Sequence, residues 1–160
     1  MWFENDAANA TVYVIGSSAD NYYVGQGEFD PGEDISICKA TLYLSQLGGS
    51  ITGKTFYCQV WTMSGTSLGT LQGESDGVAG VNTWAYDAVD FEFSTSVDLS
   101  NGIDYCIVIT MKEVDAINYA QTLFTVGGTG LDGSAGRWQA SKTRSSWWTA
   151  SDFKCDVYTD

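Results

Sequence analysis

The chain has 160 residues, enough for one domain with a core of its own. It carries 7 Lys and Arg against 20 Asp and Glu, which gives a formal net charge of −13 at pH 7, and it contains no His. The charge disfavours binding to nucleic acid or to anionic membranes, and the lack of His excludes a Ser-His-Asp triad and His-ligated metals. No apolar stretch approaches the roughly 18 residues of a membrane span.

The first residues have neither the basic region nor the apolar run of a secretion signal. A signal removed before residue 1 and the lack of any signal both stay open. Trp2 is too bulky for routine removal of Met1, which favours Met1 as the native start. We expect a short N-terminal arm over residues 1–10 and a single domain over residues 11–160.

Apolar residues recur at every second position along most of the chain, as in strands with one buried face. The pattern is clear in Phe56–Val60, Val89–Phe93, Tyr105–Ile109 and Phe153–Val157, and no long window holds a helical apolar stripe. The alternation predicts that these runs share one core.

Turn residues separate these runs. Asn101-Gly102 predicts a hairpin between two strands, because both residues tolerate positive φ. About ten strands at short spacing predict an all-β fold, a two-sheet antiparallel β-sandwich of jelly-roll-like form.

Four cysteines occur without a C-x-x-C pair: Cys38, Cys58, Cys106 and Cys155. Each lies in a strand-like run, and the parity of Cys58 and Cys155 places both on the apolar face. We expect buried thiols that act as small hydrophobic side chains, while one or two disulfides stay open as the alternative.

Several segments resemble the choice-of-anchor-type β-sandwich domains of bacterial and phage surface proteins. The resemblance rests on Gly25–Phe29, Asp34–Leu44, Trp84–Phe93, Val97–Leu99 with Gly102–Tyr105, Asn118-Tyr119, Gly136–Trp138 and Ser151–Tyr158, with Trp147 or Trp148. It covers roughly residues 11–158 and implies a non-catalytic module of cell surfaces, secreted enzymes or phage particles. Its motifs are packing and turn motifs, so it implies a fold more strongly than a function.

An acidic turn surrounds Pro31-Gly32 and contains Glu28, Asp30, Glu33 and Asp34. Carboxylates and turn carbonyls are the ligands that Ca²⁺ requires, although the spacing matches no EF-hand loop. The turn predicts either a structural Ca²⁺ site or a solvated acidic loop. No cofactor is expected to be required.

Asp90 and Glu92 share one face of a strand, about 7 Å apart by the strand rise. That separation would suit the two carboxylates of an inverting glycosidase. The apolar residues on the opposite face favour a solvated outer face instead, and we expect no enzyme.

Exposed aromatic side chains and a local group of basic residues are the candidate contacts with a ligand or partner. Trp61 has outward parity, Trp138 follows a Gly-rich stretch, and at most one of Tyr22 and Tyr23 can face inward. The candidate contact residues are Trp61, Trp138, Arg137, Lys142, Arg144 and Tyr22. Two alternatives stay open. Each aromatic residue could lie in the core, and the basic residues could be close together in the sequence by chance.

These observations predict a non-enzymatic structural or decoration protein on the surface of a phage virion, in a capsid or tail. Its partners would be other virion proteins or copies of itself, and the basic group could dock on a second copy's acidic turn. The alternative is a secreted, extracellular bacterial carbohydrate-binding or adhesion module. Neither prediction includes nucleic acid or membrane insertion.

Overall fold

The computed structural model describes residues 3–4, 10–15, 23–65, 67–111, 119–126, 137–140, 148–149, 151–153 and 155–160. It describes the side chains of most residues within 25–111 and 155–160. The described residues form β-strands and no helix. The strands are β1 Phe3–Glu4, β2 Ala10–Ile15, β3 Tyr23–Phe29, β4 Ile35–Gly48, β5 Thr55–Ser64, β6 Ser67–Glu74, β7 Val78–Ala79, β8 Ala85–Leu99, β9 Tyr105–Met111, β10 Tyr119–Val126, β11 Arg137–Ala140, β12 Trp148–Thr149, β13 Ser151–Phe153 and β14 Cys155–Thr159.

The strands pair in two antiparallel sheets that pack against each other. In sheet A the long strand β4 pairs with β8, β14 and β10, while β1 lies beyond β14, and β2 and β13 pair with β10. Sheet B has the order β12-β11-β3-β9-β5-β6, and β7 also pairs with β5. The predicted all-β fold with two antiparallel sheets is therefore confirmed.

The core lies between the sheets and is formed by the alternating side chains that the sequence marks. Phe56, Cys58 and Val60 of sheet B meet Val89, Phe91 and Phe93 of sheet A in one cluster, together with Cys155 and Val157. Trp84 joins them, with its ring centroid 5.4 Å from that of Phe56. The shared core predicted for these runs is confirmed, except that the side chain of Phe153 lies outside the described part.

The hairpin predicted at Asn101-Gly102 is wrong. The two residues do form a turn, and Gly102 has a φ of 79°. The turn joins β8 of sheet A to β9 of sheet B, however, and those two strands pair with β4 and with β3 and β5. Local turn chemistry fixes the bend, but strand pairing is decided by the core, which places β8 and β9 in opposite sheets.

A second connection between the sheets closes one side of the sandwich. Strand β8 pairs with β4 along one edge, and the segment after β6 reaches its other edge, where the N–H of Asp76 donates to the carbonyl of Glu92 at 2.8 Å. The carboxylate of Asp76 accepts from Ser94 Oγ at 2.6 and 2.8 Å. On the sheet B side, Ser75 Oγ accepts from the N–H of Cys58 at 2.9 Å. Residues 75–76 thus satisfy backbone groups that an open sheet edge would expose.

Three residues of the predicted N-terminal arm belong to sheet A. Phe3 and Glu4 are register partners of Val157 and Asp156 on β14, and Ala10 begins β2. The described residues within 1–10 are therefore paired with strands of sheet A.

Strand β6 approaches β8 so closely that Gly73 has no room for a side chain. A Cβ at Gly73 would overlap Cγ2 of Val97, a stiff and buried residue. We expect Gly73→Ala to lower the free energy of unfolding by about 1–3 kcal/mol through overpacking. Urea denaturation checks this, with Thr70→Ala on the exposed part of β6 as the control. An unchanged stability of Gly73→Ala would show that β6 can move away from Val97 at little cost.

All four cysteines are free thiols; Cys58, Cys106 and Cys155 are buried, while Cys38 is half-buried. Burial raises the pKa of the Cys58 and Cys106 thiols, and burial together with Asp160 raises the pKa of Cys38. Since the thiolate is the reactive form, we expect slow reaction with a thiol reagent in native protein, led by Cys38. Unfolding without reductant should release four thiols. A lower number would indicate a disulfide and contradict the structure.

Candidate functional site

Two connections meet at one end of the sandwich, and we call them together the loop end: residues 30–34, which join β3 to β4, and residues 100–104, which join β8 to β9. Asp30 ties them together. Its carboxylate accepts hydrogen bonds from the N–H of Gly32 at 3.0 Å and from the N–H of Gly102 at 3.0 and 3.1 Å. One acidic side chain therefore fixes its own turn and a turn 72 residues further along the chain.

Further hydrogen bonds hold the same two turns in place. Asp34 Oδ1 accepts from the N–H of Asn101 at 2.9 Å, and the Tyr105 hydroxyl accepts from the N–H of Ser100 at 2.9 Å. These contacts satisfy turn N–H groups that lie outside the strand pairing. Side-chain oxygens of the protein itself therefore hold the loop end in place.

A shallow cavity of about 320 Å³ opens between the loop end and the adjoining ends of β4 and β8. Ile35, which is half-buried, supplies its apolar surface, and Leu99 lies buried in the core beneath it. Ser36 Oγ donates to Asp98 Oδ1 at 2.5 Å across the two strands. The lining consists of Asp34, Ile35, Ser36, Asp98, Leu99 and Ser100. The cavity therefore combines two carboxylates, two hydroxyls and an apolar wall.

The acidic turn predicted to hold Ca²⁺ is the first half of the loop end. Asp30 and Asp34 are engaged by backbone N–H groups, while Glu33 is exposed. The side chain of Glu28 lies outside the described part. Within the described ranges, no group of three or more acidic, Cys or His side chains is placed to hold a metal ion. The Ca²⁺ site stays a prediction.

The exposure expected of Trp61 is wrong. Its parity does place it on the outer face of sheet B, but its side chain is only 8% exposed. It packs with Met63, Cys106 and Val108 in a second apolar cluster, and its Nε1 donates to Gln59 Oε1 at 2.9 Å. Parity identifies a face of a sheet, whereas burial depends on what neighbouring strands place on that face.

The other predicted contact residues are described only in part. Arg137 and Trp138 lie on β11, paired with Gly27 and Gln26 of β3, and their side chains lie outside the described part. Tyr22, Lys142 and Arg144 also lie outside the described residues. Their role in partner contact stays a prediction.

The two carboxylates that alternation places together, Asp90 and Glu92, lie on the outer face of sheet A. Asp90 pairs with Lys39 Nζ at 3.1 Å and accepts from Thr41 Oγ1 at 2.5 Å. Partial burial raises the pKa of Asp90, but the hydrogen bonds from Thr41 and Lys39 and the charge of Lys39 outweigh it and bring the net pKa below its ordinary value. A glycosidase general acid needs the opposite shift.

Further polar contacts on this face are not apparent from the sequence. Lys39 Nζ also lies 4.1 Å from the ring centroid of Tyr158, and the Tyr43 hydroxyl donates to Asp156 Oδ2 at 3.1 Å. Asp156 is only 7% exposed, and its Oδ1 has no hydrogen-bond partner among the described residues. The polar residues that alternate with Ala40 and Leu42 on β4 are the one sequence signal of this network.

A comparison with known protein families finds no match, and a comparison with curated proteins finds no relative of the chain. The resemblance to choice-of-anchor-type domains therefore stays a prediction. None of the described residues forms a helix long and apolar enough to cross a membrane.

We call the hydrogen bonds from Gly32 and Gly102 to Asp30 the clamp. A matched pair of substitutions tests how much the clamp contributes to stability. Asp30→Ala removes the acceptor of the Gly32 and Gly102 N–H groups, so we expect a loss of about 1–2 kcal/mol in the free energy of unfolding. Glu33→Ala, on the same loop but outside this hydrogen bonding, serves as the control, with an expected change within about 0.5 kcal/mol. Urea denaturation measures both. Equal effects of the two substitutions would mean that net charge, and not the clamp, sets the stability of this loop.

Proposed function

We propose that this chain is a non-enzymatic β-sandwich that docks on another protein through its loop end, as a structural or decoration component of a larger assembly. The observation that carries the proposal is the clamped loop end. Asp30, which is half-buried, and Asp34, which is exposed, accept hydrogen bonds from the N–H groups of Gly32, Asn101 and Gly102, and so join the two turns. A surface that is already ordered loses little conformational entropy when it binds, which favours docking.

Charge supports a protein partner with a basic surface. The chain has a net charge of −13, and the loop end adds Glu33 and Asp104, both exposed, to its clamping carboxylates. Such a surface repels nucleic-acid phosphates and anionic lipid, and it attracts Lys and Arg during encounter. A second copy offers one such partner, because Arg137, Lys142 and Arg144 lie close together in the sequence.

A virion surface is one of the settings that the choice-of-anchor resemblance implies, beside cell surfaces and secreted enzymes. Contact between the acidic loop end of one copy and the basic segment of the next would be heterologous, and contacts of that type build rings or extended arrays. Copies in such an array would bind the same capsid or tail proteins in the same way. The chain would then lie on a phage capsid or tail, in contact with other virion proteins or with itself.

Carbohydrate binding by a secreted module is the second candidate, and one observation favours it. The outer face of sheet A carries two half-exposed tyrosines, Tyr43 and Tyr158, next to Lys39 and Asp90. Aromatic rings beside hydrogen-bonding groups suit sugar stacking. The Lys39 ammonium lies over the Tyr158 ring, however, so a sugar would first have to displace it.

Size-exclusion chromatography with light scattering, together with a glycan array, tests the two functions. If docking is correct, the protein associates with itself or with particles at low salt, and Glu33→Lys weakens that association. Asp87→Lys is the matched control, since Asp87 pairs with Leu44 near the other end of β4. A stable interface should bury more than about 1,000 Å². A monomer that binds glycans and no particle would overturn docking in favour of the second candidate.

A further inference from the structure

The loop-end cavity contains two carboxylates, and only one oxygen of each accepts a hydrogen bond from the described residues. Asp34 Oδ1 is held by the N–H of Asn101, and Asp98 Oδ1 is held by the hydroxyl of Ser36. No donor among the described residues contacts the second oxygen of either carboxylate. Lys39, the basic residue closest along β4, pairs with Asp90 instead. The cavity therefore presents two free acceptor oxygens in fixed positions.

The remaining lining restricts the shape and polarity of what can fit. Ile35, which is half-buried, forms the apolar wall beside the carboxylates, while Leu99 is 1% exposed and lies in the core beneath it. A volume of about 320 Å³ accommodates one long side chain rather than an extended substrate. A group that matches both the apolar wall and the carboxylate oxygens has an aliphatic stem and a cationic head with several N–H donors.

We propose that this cavity receives an arginine side chain from the docking partner. The aliphatic stem packs on Ile35, and the guanidinium donates to the free oxygens of Asp34 and Asp98. Arginine fits better than lysine, because its planar head presents five N–H donors that can serve two carboxylates at once. This inference rests on the proposed docking function and names the chemistry of the partner at the same site.

Nuclear magnetic resonance titration of the whole chain with N-acetyl-arginine methylamide tests the inference. We expect saturable amide shifts concentrated in residues 34–36 and 98–100. Asp34→Asn and Asp98→Asn keep Oδ1 as an acceptor and remove the charge, so each should weaken binding about tenfold. Asp87→Asn removes the same charge outside the cavity and should leave binding unchanged. The amide spectrum of each variant shows directly whether it folds.

Three results would overturn the inference. Shifts spread over the acidic surface, with no effect of Asp34→Asn or Asp98→Asn, would indicate non-specific charge attraction. Equal binding of N-acetyl-glutamine methylamide would exclude recognition of a cation. Saturable Ca²⁺ shifts at the same residues, in the absence of any arginine response, would make the cavity a cation site.

The titration needs no assembly, so its outcome is independent of the docking experiment. A monomer that binds the arginine compound through Asp34 and Asp98 would support the cavity while contradicting assembly. Association that survives Asp34→Asn and Asp98→Asn would support docking and contradict the role of the cavity.

Discussion

The core between the two sheets is the constraint on which the rest of the structure depends. Along β4, Ala40, Leu42 and Leu44 point into it. Because side chains alternate across a strand, this choice also sends Lys39 and Thr41 outward, where they meet Asp90. One register between β4 and β8 therefore fixes the buried cluster and the polar outer face together, and a slip of one residue would exchange them.

Short polar links hold the sandwich where its core ends. Ser75 and Asp76 cross from sheet B to the free edge of β8, and Asp30 joins the two turns of the loop end. Ser75 Oγ and the Asp30 carboxylate accept from backbone N–H groups, and the N–H of Asp76 donates to the carbonyl of Glu92, as a neighbouring strand would have done. Such links add little burial, but they satisfy backbone groups that would otherwise lack a partner. The acidic residues of the loop end thus have a structural role before any partner binds.

That structural role bears on the proposed function. Each carboxylate of the cavity uses one oxygen to hold its position and leaves the other available, as Asp34 and Asp98 show. A partner then meets acceptors that are already oriented, and the cost of ordering them has been met during folding. The polar outer face of sheet A differs, because there Asp90 is already neutralised by Lys39. The negative charge of the loop end, which lacks such a pairing with Lys39, is what favours docking there over the area around Asp90.

Strand positions and their buried faces could be predicted from the sequence, because alternation is a property of neighbouring residues: Phe56, Cys58 and Val60 lie inward as their spacing indicates. Turn chemistry is equally local, so the bend at Asn101-Gly102 could be predicted, but its connection of two sheets could not. Trp61 has the predicted face, yet Met63, Cys106 and Val108 decide that it is buried. The contact between Ser36 and Asp98 spans 62 residues. Local spacing determined each strand by itself, whereas the register between strands far apart in the chain decided which side chains meet, and that register is set by the packing of the whole core.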